Sequence, residues 1–289
     1  MPKKHSKPAQ SIKIPTLILK SIKIISYLSP KLTTRLAFKL FTSPIKYPMP
    51  KRELEMNTNS TQEKRNIPAI NKQVVVYHYG KSSRKVLLVH GWSGRGTQLV
   101  KIADSLIQAG YATISFDAPG HGKSPKSSSN MVDFIATIQE INKHYGPFEA
   151  AIGHSLGGMS VLNAIKEGLP LKSATIIGSG DIVQDILQDF ITKLELPPKY
   201  ALLLKIHFEK KYAGSMADYS AYKAAQKTTI PLLILHDQQD LEVPVKAAQH
   251  IYQNAPDASL ILTENLGHRK ILGDNKVVQK VCNFTQKHS

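Results

Sequence analysis

Short apolar runs and amphipathic runs alternate along most of the chain. Strands are predicted at QVVVYHYG (73–80) and KVLLVHGW (85–92), and at YATISFDAPGHG (111–122), which breaks into a glycine-rich loop. Further strands are predicted at FEAAIGHS, SATIIGSG, IPLLILHD (230–237) and ASLILTEN. Helical spacing fills the gaps: 97–110, MVDFIATIQEINKHYG, LGGMSVLNAIKEG, VPVKAAQHIYQNAP and 274–287. The nearly continuous apolar strands suit a sheet covered on both sides. The alternation predicts an α/β fold, a mostly parallel central sheet with helices on both faces. Ligand sites in such sheets lie beyond the carboxyl ends of the strands.

Two segments break the rhythm. Residues 181–228 read as helix with no strand between, divided by Pro197-Pro198 and Gly214. An all-helical insertion beside a strand end is expected to be a lid. Residues 1–50 form a second departure, ending in the proline-punctuated connector TSPIKYPMPKREL. In that leader, Lys13, Thr16, Lys20, Lys23 and Tyr27 fall on one helical stripe. Leu17, Ile18, Ile22, Ile24, Ile25 and Leu28 are left on a broad apolar face. Ser29-Pro30 reads as a cap and a first-turn proline. A second helix follows, with Leu32, Leu36 and Leu40 on one face and Lys31, Arg35 and Lys39 on another. Such helices pack on the main domain or lie in a membrane interface. The expected division is a leader over 1–50 and one domain over 51–289.

Charge sharpens this division. The net charge is +17, and residues 1–50 hold ten Lys/Arg with no Asp or Glu. The leader therefore suits an anionic surface, membrane or nucleic acid, or is a solubilising face. Interleaved aromatics and a reader motif are lacking, so nucleic acid is not expected. Lysines interrupt every apolar run, and none approaches the roughly 20 residues of a membrane span. No clean cleavage site marks a signal peptide. The expected location is the cytoplasm, with peripheral contact at the inner membrane face through residues 1–50. The single cysteine, Cys282, excludes an intramolecular disulfide and a cysteine metal cluster. No metal or other cofactor is expected, since neither a metal cluster nor a dinucleotide fingerprint is present.

The chemistry centres on Gly153-His154-Ser155-Leu156-Gly157, at a predicted strand-to-helix junction. There a serine with small residues two before and two after fits a nucleophile elbow. A phosphate-cradling helix start is the alternative, but no Walker lysine follows. Serine needs a base, and His268 follows the last predicted strand, where it can reach across the sheet. The base needs an acid. Asp240 is the choice, Asp237 at the strand end is expected to shape the turn, and Glu242 is the third option. The Leu156 N–H and the Trp92 N–H in the loop after KVLLVHGW are the oxyanion donors. Trp92 and His154, beside those groups, are expected to contact substrate.

HGW, FDAPGHGKS, GHSLGG, HDQQDLEVP and GHRKIL, in this order, resemble the alpha/beta-hydrolase fold superfamily over about residues 70–289. The resemblance implies a Ser-His-Asp hydrolase acting through an acyl-enzyme. Serine at 155 departs from the branches with an aspartate nucleophile, and HG-x departs from the branch with a triple-glycine oxyanion loop. The lead expectation is a carboxylic ester hydrolase for a small or lipid-like substrate. Thioester hydrolysis, acyl transfer and peptidase-like cleavage use the same triad. A non-catalytic binder or membrane-surface module on the same fold is the alternative of another class.

Overall fold

The computed structural model describes residues 14–289. Lys13, named with the leader's basic stripe, lies outside them. α1 (Thr16–Leu28) and α2 (Pro30–Phe41) meet at Ser29. The Ser29 side chain accepts the Leu32 N–H at 3.2 Å, and Pro30 opens α2. The broad apolar face of α1 is split in use. Ile22 is buried, whereas Leu17, Ile24 and Leu28 stand exposed. In α2 the buried residues are Thr33, Thr34, Ala37 and Phe38, and Leu32 is exposed. The packed face is thus rotated away from Leu32. Small Ala37 and Thr33 permit close approach, and the Phe38 ring settles 4.7 Å from those of His207 and Phe208.

The connector leads through a short 3₁₀ turn into α3 (Leu54–Asn59), β1 (Thr61–Ile67) and β2 (Lys72–Tyr79). Then come β3 (Lys85–Val89), α4 (Val100–Gln108), β4 (Ala112–Asp117), α5 (Met131–Tyr145), β5 (Ala150–His154) and α6 (Leu156–Lys166). β6 (Ser173–Ile177) precedes the insertion, which carries α7 (Val183–Lys193), α8 (Lys199–Tyr212) and α9 (Ala221–Ala225). β7 (Leu232–Asp237), α10 (Lys246–Asn254), β8 (Ala258–Thr263), α11 (Gly267–Lys270) and α12 (Asn275–Lys287) complete the described residues.

Among the described residues the strands form one eight-stranded sheet, ordered β1-β2-β4-β3-β5-β6-β7-β8. β3 to β8 are parallel, and β1 and β2 join antiparallel at one edge. β1 has no counterpart among the strands expected from sequence. Its residues, TQEKRNI, have no apolar alternation, because an edge strand in water needs none. Strand side chains alternate between two cores. Val74, Val76, Val89 and Ile234 meet α5, α6 and α10 on one side. Val86, Leu88, Leu233 and Leu235 meet α4 and α12 on the other, where Cys282 is buried.

A third core lies outside the sheet. Ile22, Ala37 and Phe38 of the leader share it with Leu187, Ile191, Tyr200, Leu204 and Phe208 of α7 and α8. An isolated 13-residue helix is marginal in water. Burial worth about 2 kcal/mol for each large side chain tips α1 and α2 toward order. The Tyr200 hydroxyl donates to the Ser26 carbonyl at 3.0 Å and fixes the register of leader on insertion.

Candidate active site

β5 ends at His154 and α6 begins at Leu156, which leaves Ser155 alone at the turn. Its backbone sits at φ 54°, ψ −120°. For a residue with a side chain such a conformation costs about 1–3 kcal/mol and persists only where the surroundings impose it. They do so by close approach. A Cβ on Gly153 would fall 2.5 Å from the Gly157 carbonyl oxygen, and one on Gly157 would fall 2.4 Å from that of Val89. Only glycine at both places lets α6 start against β3 and β5 with the serine pushed outward.

His268 lies in α11, beyond the end of β8. Its Nδ1 is 2.7 Å from Asp240 Oδ2, and both side chains are buried. Asp240 Oδ1 accepts the Glu242 N–H at 2.8 Å and the Val243 N–H at 2.9 Å. Burial alone raises the Asp240 carboxyl. The hydrogen bond and charge of His268, with these two N–H groups, outweigh burial and hold it below the usual carboxylate range. Asp237 has another task. It takes the Thr263 hydroxyl at 2.8 Å and the Leu266 N–H at 3.0 Å, tying β7 to the His268 loop. Glu242 Oε2 is 4.0 Å from His268 Nε2, the other ring nitrogen, and its Oε1 pairs with Arg269 Nε at 3.1 Å. Of the three acids weighed from the sequence, Asp240 is the one hydrogen-bonded to the ring. No hydrogen bond joins Ser155 Oγ to His268 among the described residues, and such contacts commonly tighten only with substrate bound.

Gly91 lies against the Ser155 turn, since a Cβ there would sit 3.0 Å from Ser155 Cβ. His90 shapes that loop. The Ala118 N–H donates to His90 Nε2 at 3.0 Å, so the ring proton is on Nδ1 and donates to the Gly91 carbonyl at 2.7 Å. The carbonyl is thereby held by the loop itself, which also receives the Gly94 N–H at 2.9 Å. Among the described residues neither the Trp92 nor the Leu156 N–H has an acceptor. Leu156 is the first residue of α6, where orphan donors and the helix dipole favour negative charge. Trp92 is half-buried, with its ring edge-on to His121 at 5.1 Å. A cavity lined by Tyr47, Tyr77, Ser93 and Arg95 adjoins this loop without including Ser155.

His154 is placed differently from the expectation. It is 2% exposed, its ring packs 4.7 Å from that of His268, and its Nε2 meets the His268 carbonyl at 2.9 Å. It packs against His268 on the inner side of the turn. The signal was its place on a fully buried strand, where alternate side chains turn from the open face. Two further residues have no part in the expectations from sequence: His90, which holds the loop after β3, and Gly178. The latter sits at φ 56°, and a Cβ on it would fall 3.2 Å from His268 Nδ1.

Burial keeps several histidines neutral. It pushes His121 down to about 4 and His154 down to about 3, and holds His90 well below its ordinary value. Unfolded, each titrates near about 6.5. Below that pH the unfolded chain binds more protons than the folded one, so stability falls as pH falls. Each histidine contributes up to about 1.4 kcal/mol per pH unit of that loss. Asp117 and Asp133, raised by burial, act in the opposite sense nearer the carboxylate range. Urea midpoints are therefore expected to fall from pH 7.5 to 5.5, with proton uptake on unfolding. A flat profile contradicts the neutral burial.

Residues 86–277 match the model of the alpha/beta hydrolase family. The match spans well over half the chain, and the chain belongs to that family. No curated protein sequence matches it. Solved structures similar to it include an esterase from a Rhodococcus species, at 16% identity and TM-score 0.60, covering 80% of this chain and 100% of that one. A bromoperoxidase from Bacillus anthracis matches at 16% identity and TM-score 0.59, over 78% and 100%. A membrane phospholipase A, a bacterial virulence factor, matches at 15% identity and TM-score 0.63, over 94% and 96%. Likeness at these identities establishes the fold. Among the described residues no helix is long and apolar enough to cross a membrane.

Proposed function

We propose that the protein is a serine hydrolase that cleaves a carboxylic ester through an acyl-enzyme, with Ser155, His268 and Asp240 as its triad. The observation that carries the reading is the 2.7 Å Asp240–His268 contact beside a serine held at positive φ. Ser155 Oγ attacks the acyl carbon while His268 Nε2 takes its proton. Charge gathers on the carbonyl oxygen, where the Leu156 and Trp92 N–H groups receive it. His268 returns the proton to the departing alkoxide, leaving the acyl group on Ser155. Water then attacks by the same route, and serine is regenerated. Asp240 keeps the His268 proton on Nδ1, so Nε2 is free to accept.

The insertion serves as the lid of this reading. It leaves the sheet after β6, and the Tyr212 hydroxyl at the end of α8 accepts from Asn130 at the start of α5, 2.8 Å away. β5 and β3 lie between β6 and β4, so in this reading α7 and α8, tied to the start of α5, close over the strand end that carries Ser155. The test is a p-nitrophenyl ester series from acetate to laurate. Turnover supports an esterase, and its optimum gives the acyl length. No turnover of any oxygen ester, with turnover of the matching thioesters or aminoacyl amides, replaces the ester reading by the thioesterase or peptidase one.

Gly178 offers a sharper check on geometry. Valine there meets the His268 ring, and a displacement of about 1 Å in a catalytic group costs about 100-fold in rate. Gly178→Val is expected to lose that much in kcat/KM on the best ester. Unaltered kcat/KM would remove His268 from the proposed role.

A further inference from the structure

α1 presents an apolar surface that nothing among the described residues covers. Leu17 is 76% exposed, Ile24 62% and Leu28 78%. They stand at i, i+7 and i+11, one stripe of the helix, with exposed Ser21 in the gap. The opposite side of α1 is the packed one, where Ile22 is buried and Leu19 adjoins the leader–insertion core. Leu32, 52% exposed, continues the apolar surface past the Ser29-Pro30 corner. The fold has no need of the outer stripe, and water disfavours it.

Its charge surroundings identify the occupant. Lys20 and Lys23 on α1 and Lys31, Arg35 and Lys39 on α2 are all exposed. Residues 1–50 contain no acidic side chain. Two copies meeting through this face would set lysine against lysine with no carboxylate on either leader to pair them. A bilayer with anionic headgroups meets both demands at once, taking the leucines and isoleucine among its acyl chains and the lysines at its phosphates. Lysine stems reach along the apolar surface while their ammonium groups stay at the headgroups. Thirteen residues make a helix of about 20 Å, too short for about 30 Å of hydrocarbon. The helix would lie flat.

We infer that the outer stripe of α1, Leu17, Ile24 and Leu28 with Lys20 and Lys23 beside it, is a docking surface for anionic membranes. The inference is independent of the hydrolytic reading, since it concerns binding and uses none of the residues proposed for catalysis.

The full chain is tested by flotation with vesicles of phosphatidylcholine alone and of phosphatidylcholine with phosphatidylglycerol. Binding to the anionic vesicles is expected, weakening as salt rises. Lys20→Gln with Lys23→Gln is expected to weaken it about 30-fold. Leu17→Ser, Ile24→Ser and Leu28→Ser together are expected to weaken it on the order of 100-fold. All five side chains are exposed, so melting temperature and turnover of a short soluble ester should match wild type and show that the fold is retained. The inference is overturned if wild type floats with neither vesicle, or if the triple variant floats as wild type does. It is equally overturned if wild type is a dimer in solution that the triple variant abolishes. Loss of ester turnover in the wild type would count against the proposed function and leave the flotation result standing.

Discussion

Ser155→Ala is expected to lower kcat/KM for the best p-nitrophenyl ester by on the order of 10⁵-fold, with no change in fold. The alanine keeps the turn, the Leu156 and Trp92 N–H groups and the Asp240–His268 pair. It removes the oxygen proposed to form the acyl bond. Residual turnover over water should persist, since oxyanion donors alone stabilise the charged intermediate. Steady-state kinetics with circular dichroism on the same preparation checks both halves. Activity within tenfold of wild type would place the chemistry elsewhere.

Asp240→Asn is expected to cost on the order of 10⁴-fold in kcat/KM. Asp240 Oδ1 already accepts two backbone N–H groups. Asparagine would keep its carbonyl oxygen there and turn its NH₂ toward His268 Nδ1. That nitrogen would then have to accept, which moves the ring proton to Nε2, where serine's proton has to go. The substitution is nearly isosteric, so the loss is one of tautomer and not of packing. Glu242→Gln is the control, because its carboxylate is not hydrogen-bonded to the ring. It should retain activity within a small factor of wild type, whereas Asp237→Asn would turn an NH₂ against donors from which the carboxylate now accepts and loosen the His268 loop. If Glu242→Gln were the damaging change and Asp240→Asn the mild one, the acid would be misassigned.

The parallel part of the sheet was legible because β3, β5, β6 and β7 are buried on both faces, and continuous apolar runs say so. β1 was not, since this edge strand, paired on one side, is polar up to its last residue, the buried Ile67. Ser155 could be read from Gly153 and Gly157, whose absent side chains are what the close approach of α6 demands. His154 could not be placed by its neighbour's chemistry: one residue's step along β5 sends it inward against His268. His90 stood in a recognisable turn, but its task is written in the direction of two hydrogen bonds, which spacing does not carry. The leader's apolar face was visible as one broad face. Its division into a packed half and an open half depends on α7 and α8, which lie far along the chain.

The most direct test of the central claim is covalent labelling with a fluorophosphonate, followed by peptide mass spectrometry. The reagent reacts with a serine only where a base activates it and donors hold the developing charge, so it reads the machinery without a known substrate. One adduct per chain is expected, on Ser155, absent from Ser155→Ala and strongly slowed in Asp240→Asn. No adduct on the folded protein, or an adduct on another serine, would contradict the claim.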